Sequence, residues 1–209
     1  LNGSLLWGGA WTFIWGHLNT RPLDVTWAIV MGLPCLWVLF LDRRNPVQVR
    51  FSTIFVIALS VLVGILLSKT SFGSIERISP SYHPSTDMFH DVNKLVDGIK
   101  AKVGSNDSFP GDHGVAALIY ASGFILYFRS PGMVAIALVV AFMNTMPRLI
   151  GGGHWLTDVV VGGGSFALFM IPWMIAAPSR NWMDKAVGPL IDRGLQPLFN
   201  RLGLGFLLR

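Results

Sequence analysis

PRLIGGGHWLTDVVVGGGSFALFMIPWMIAA, from Pro147 to Ala177, is the stretch on which the fold turns. Its second part, Val159 to Ala177, is an apolar run of the length that crosses a bilayer, for which about 20 residues are typical and about 17 suffice. Its first part places an Arg, a His and an Asp just ahead of that run. The pattern is a membrane helix with reactive side chains at its mouth.

Working outward, Val25 to Leu41, Phe51 to Ser68 and Gly132 to Met146 have the same apolar character. Gly114 to Phe128 is shorter but bounded by polar residues on both sides. These runs predict an all-α, polytopic membrane bundle with five spans. Leu5 to Gly16 is too short to cross, is rich in Trp and runs into polar HLNTRPLD, so it reads as an interfacial helix. The composition agrees. Of 209 residues, 52% are hydrophobic and only 13% charged, against about 25% charged in a soluble domain. Mean hydropathy is +0.56.

Five spans with short connections use up the chain, so residues 1–209 read as one domain. Within it, 1–24 is an interfacial segment, 69–112 an outer loop and 178–209 an amphipathic tail on the inner membrane surface. Charge gives the orientation. The connections Asp42 to Arg50 and Arg129 to Pro131, with the tail from Arg180, hold nine Lys/Arg and three acids, whereas the opposite side holds seven and eight. Basic residues near span ends favour the cytoplasm, which puts the loops 69–113 and 147–158 outside. The start of the chain then lies outside as well. No signal peptide is visible at Leu1.

The formal charge of +5 does not point to nucleic acid, because no Lys/Arg-rich run occurs. The single Cys35 lies in an apolar run, which excludes an intramolecular disulfide and a thiolate metal cluster.

Two outer segments carry the chemistry: SFPGDHG at Ser108 to Gly114, and PRLIGGGHWLTD at Pro147 to Asp158. His154 and Asp158 are four apart at a helix start, hence on one face. A carboxylate there can accept from one imidazole nitrogen and leave the other free to attack. Arg148 can fold back across the flexible glycines and grip two phosphoryl oxygens. Gly151 to Gly153 would let backbone N–H groups approach a phosphate. His113, at the start of another span, can protonate a leaving oxygen. The bland alternatives are interfacial histidines, a snorkelling Arg, and Asp158 as a residue favoured by the helix dipole. Gly162 to Gly164 read as a packing device. The arginines can stand in for a metal, and no cofactor is expected.

Arg148, five residues, His154, three residues and Asp158 resemble the third signature of the type 2 phosphatidic acid phosphatase (PAP2) superfamily. Pro110-Gly111-Asp112-His113 resembles its second. The first is a Lys, six residues and Arg-Pro, whereas here seven residues separate Lys69 from Arg77 and the proline comes at Pro80. The resemblance implies a PAP2/chloroperoxidase-type bundle with a sixth span upstream. It also implies His154 as nucleophile, His113 as acid and base, Asp158 as orienter, and phosphate contacts from Arg148, Arg77, Lys69, Gly111 and Asp112. Lys69 and Arg77 remain readable as ordinary loop cations. Gly111 and Asp112 stand where members usually have Ser and Gly, and Pro147 where they have Ser. A carboxylate at Asp112 favours the acid form of His113.

DSFPGDHG, ERISP and PRLIGGGHWLTD further resemble a branch whose members move a phosphoryl group from undecaprenyl diphosphate to the 1-phosphate of lipid A. That implies a bacterial inner-membrane enzyme with a periplasmic site. Hydrolysis of a lipid phosphate is the alternative, and a non-enzymatic scaffold or transporter subunit the third reading. The loop residues His83, Asp87, His90, Asp91 and Asp97 are expected to shape the acceptor site. A metal site among them is disfavoured by their irregular spacing.

Overall fold

The computed structural model describes residues 1–71, 75–83, 89–128 and 130–208, with the side chains of 177–180 left aside. Arg129 and Asp87 therefore lie outside the described residues. Those described are almost wholly helical, and their only strand-like pairing is a single bridge between Thr20 and Ala101.

A 3-10 turn (Asn2–Trp7) and α1 (Gly9–Leu18) lead into α2 (Arg21–Phe40) and α3 (Val47–Ser71). A short α4 (Val92–Leu95) sits in the connection that follows α3. Then follow α5 (Asp112–Tyr127), α6 (Pro131–Ile150) and α7 (Gly164–Ile175), the last continuing a π-helical stretch over Asp158–Gly163. The tail forms α8 (Ala177–Leu190) and α9 (Gln196–Arg201). Among the described residues, four helices are long and apolar enough to cross a membrane: Arg21–Phe40, Val47–Ser71, Pro131–Ile150 and Asp158–Ile175. The chain is a multi-pass membrane protein. At 16 residues α5 is only about 24 Å long. It occupies the middle of the bundle instead, against α3, α6 and α7.

Small residues let these helices close on one another. A Cβ on Gly64 of α3 would lie 2.2 Å from the Ile119 side chain of α5, and one on Gly123 of α5 would lie 2.6 Å from Ile57 of α3. Around these contacts Ile57, Val115, Ile119 and Phe124 are fully buried. Leu33, Leu36, Leu62, Leu66, Leu138 and Leu168 point outward and exposed, as expected where lipid is the solvent.

The helices begin a few residues from the expected borders. Pro22, in the first turn, lacks the N–H that a helix start leaves unpaired, so α2 opens four residues before the apolar run, at Arg21. Asp24 thereby falls in its first turn, where a carboxylate complements the helix dipole. α2 is also the least covered of the long helices, with 11% of its apolar window buried. At the far end α8 packs on α3, where Val187, Ile191 and Leu208 form a cluster with Phe51.

The connection between α3 and α5 is stitched to the end of the bundle by Ser79 and by its backbone. Ser79 Oγ donates to Gly153 O at 2.7 Å and accepts from Ser105 N at 2.8 Å. Ser108 N donates to Arg77 O at 2.7 Å. Two of the expected acceptor-site residues hold the loop's own shape. Asp91 caps α4 by accepting from Asn93 N, and the His90 backbone exchanges hydrogen bonds with the Asn2 side chain.

Candidate active site

The starts of α2, α5 and the Asp158 helix meet the ends of α3 and α6 at one end of the bundle, and the two signature histidines converge there. One ligand atom each from Asp112, His113 and His154 lies within 4.8 Å of the others. This set has the donor chemistry for a metal ion. Its neighbours Arg148 and Lys69 are cations, however, which suits an anion better.

His154 is fixed in a way the sequence did not suggest. Its Nδ1 donates to the carbonyl of Ser108 at 2.8 Å, which leaves Nε2 as the free lone pair. The expected partner, Asp158, stands at 3.8 Å from Nδ1. Its carboxylate turns elsewhere: Oδ2 accepts from Trp155 N at 2.8 Å, and Oδ1 pairs with Arg77 Nη1 at 2.9 Å. The same spacing that puts His154 and Asp158 on one face lets a fully buried Asp158 cap its own helix entry. Asp158 therefore braces the loop that carries His154 and stands near the ring without a hydrogen bond to it.

Arg77, expected on the phosphate, instead braces this loop. Its Nη2 donates to Thr157 Oγ1 at 2.8 Å, and its guanidinium lies 5.7 Å from the Trp155 ring. It does not border the cavity into which His154 faces. That cavity, about 110 Å³, is walled by His154, Arg148, Asp112, Lys69, Lys102 and Ser105. Lys69, the weaker sequence match, is thus the one at the cavity. Lys102 joins it unannounced by any motif.

The glycine triplet also differs from expectation. The N–H groups of Gly151, Gly152 and Gly153 donate to the carbonyls of Pro147, Leu149 and Arg148, so they close the end of α6 and are not free for phosphate. Gly152 adopts φ +75°, which makes glycine the natural residue there. Gly111 serves by lacking a side chain. A Cβ on it would lie 3.3 Å from His154 Nδ1, which is tight against the reactive ring. Gly163 permits a similar approach, since its Cβ would stand 2.7 Å from the backbone of Gly114. This close seam between the Asp158 helix and α5 keeps the two histidines at one depth, as the packing reading of the second glycine run expects.

His113 lies between two carboxylates. Its Nδ1 is 2.8 Å from Asp112 Oδ1 and its Nε2 is 3.3 Å from Asp24 Oδ1. Burial opposes the charge on Asp112. The His113 hydrogen bond and the positive charge of both histidines outweigh that and hold the carboxyl, which precedes the apolar part of α5, well below the usual range.

Arg148 is 3% exposed, and a guanidinium at that depth needs partners. Nη1 donates to Asn19 Oδ1 at 2.8 Å, and Nη2 to Asp24 Oδ1 in a short ion pair. Neither partner was read from the sequence. Asn19 is fully buried, and nothing in its local pattern marks it. Asp24 carried one signal, an acid at the start of an apolar run in a chain with only 11 acids.

A buried guanidinium and an imidazole with one nitrogen unengaged share one small cavity, and a second imidazole borders the adjoining groove, an arrangement suited to holding a phosphoryl group. The comparisons with known proteins agree. Residues 50–182 match the PAP2 superfamily, and the chain belongs to that superfamily. It is 30% identical over 171 residues to lipid A 1-diphosphate synthase of Escherichia coli (strain K12), which covers 79% of this chain and 69% of that protein. No solved structure matches. The protein is an enzyme of the phosphatase or phosphotransferase type.

Proposed function

We propose that the enzyme moves the terminal phosphoryl group of undecaprenyl diphosphate to the 1-phosphate of lipid A, through a phosphohistidine, on the periplasmic face of a bacterial inner membrane. The observation that carries this reading is the carbonyl-bound His154, whose Nε2 is left unengaged and whose ring lines a cavity with Arg148 and Lys69. The relative's name supplies the substrate class.

In the first step Nε2 attacks the terminal phosphorus. The bond to the bridging oxygen breaks, and undecaprenyl phosphate leaves with a proton from His113. In the second, an oxygen of the acceptor phosphate attacks the phosphohistidine, the N–P bond breaks, and a proton returns to His113. Arg148, Lys69 and the start of α5 balance the phosphoryl charge throughout. A groove of about 420 Å³ between α2, α3, α5 and α6 leads from Asp24 and His113 past Trp27, Met31 and Ile65. Such a lining suits a lipid chain, with α5 taken as a fifth membrane segment. Arg148 and Lys69 supply the positive charge a metal would bring, and no cofactor or nucleic acid has a part.

The test is to follow the label from terminally labelled undecaprenyl diphosphate with and without lipid A. Label on lipid A supports the transfer. Free phosphate at the same rate with or without acceptor means a phosphatase. No release by wild type, as by His154→Ala, would abandon both.

A further inference from the structure

One oxygen of Asp24 touches both groups on which the proposed chemistry depends. Oδ1 accepts from Arg148 Nη2 and lies 3.3 Å from His113 Nε2. These are the cation meant for the phosphoryl oxygens and the nitrogen meant to hand over a proton. A phosphoryl oxygen placed between them would make the same two contacts. We propose that Asp24 is the resident anion of this site, standing where a phosphoryl oxygen binds, and that a phosphorylated ligand enters by displacing it.

The surroundings fit a group that leaves. Arg148 is nearly inaccessible, held from behind by Asn19 Oδ1, and does not depend on Asp24 alone for its position. Asp24 has 36% of its side chain exposed and borders the groove, so it can swing toward solvent. It rides on the first turn of the least covered membrane helix.

Charge makes coexistence unfavourable. Asp112 already holds the other nitrogen of His113, so a phosphate dianion arriving beside Asp24 would stack a third negative group around one imidazole. A small free anion must then overcome Asp24 with its own few contacts. A lipid-linked phosphate adds the energy of its chain in the groove. Asp24 is thus a specificity-determining residue that biases the site toward lipid-borne phosphates over free ones, which deepens, and rests on, the reading of this site as a phosphoryl-transfer centre.

The test measures binding of orthophosphate and orthovanadate to the full chain by calorimetry. Asp24→Asn preserves shape and removes the charge, and should bind both anions about tenfold more tightly than wild type. Asp24→Glu should stay within about twofold. Equal or weaker binding by Asp24→Asn overturns the proposal and leaves Asp24 a mere support. Absence of binding to either protein would overturn the phosphoryl-transfer reading with it. Should the variant fail to fold, a wild-type structure with orthovanadate decides. Asp24 released from Arg148 upholds the proposal, and both contacts intact beside the bound anion refute it.

Discussion

The two histidines of the site are held in opposite ways. His154 leans on a neutral carbonyl, that of Ser108, and keeps one nitrogen unengaged. His113 is gripped at both nitrogens by carboxylates, Asp112 and Asp24. A neutral carbonyl fixes a tautomer and leaves the lone pair of the second nitrogen open, as the proposed nucleophile requires. Two carboxylates put an acceptor on each side of the other ring, so the two imidazoles sit in different surroundings. The proposed division of labour rests on what each ring touches.

The most severe way to break this asymmetry is His154→Ala. It should lower turnover by about ten-thousand-fold while the protein still binds lipid. His113→Asn should cost about a thousandfold. That loss should shrink with a donor whose leaving group needs no protonation, a selectivity His154→Ala should not show. If both variants lost the same activity with every donor, the two rings would have no separate tasks.

Asp158→Asn leaves Arg77 without its buried partner and the loop without its charge. Turnover should fall about ten- to a hundredfold, and Arg77→Ala should follow at about tenfold with KM little changed. A large rise in KM for Arg77→Ala would instead put its guanidinium on the substrate. Gly111→Ala crowds the His154 ring and should cost a few-fold in kcat.

The smallest effect expected is in stability. Because Asp112 keeps its charge far into acid, it contributes stability that is whole above about pH 4, the ordinary carboxylate value. That contribution declines as pH falls toward the lower folded value. The melting temperature of Asp112→Asn should therefore lie below wild type at neutral pH, and the gap should close below pH about 4. A gap independent of pH would mean that the pairing with His113 does not matter to folding.

What the sequence revealed follows from how local each signal is. Apolar runs announce membrane helices because the bilayer fixes their length, and α2, α3, α6 and α7 appeared within a few residues of their expected places. His154, His113 and Arg148 were legible because helix starts and ends put them at one depth. The partners of those residues were not. The Ser108 carbonyl is a backbone group that no residue type encodes, and the Arg77 to Asp158 pair spans 81 positions of sequence. Asp24 and Asn19 reach Arg148 across more than a hundred residues, through a packing of α1 and α2 that periodicity does not encode. The glycine triplet was misread for a related cause. Its N–H groups are consumed by the end of α6, which becomes visible only once that helix is known to run to Ile150.

The central claim is that His154 attacks through Nε2 because Nδ1 is occupied. Mixing the intact enzyme with undecaprenyl diphosphate in the absence of acceptor, quenching in alkali, and locating the phosphate by mass spectrometry and phosphorus NMR tests it most directly. The account predicts an acid-labile phosphate on Nε2 of His154, discharged by adding lipid A. Phosphate on His113, on Nδ1 of His154, or on no residue at all during active turnover would contradict it.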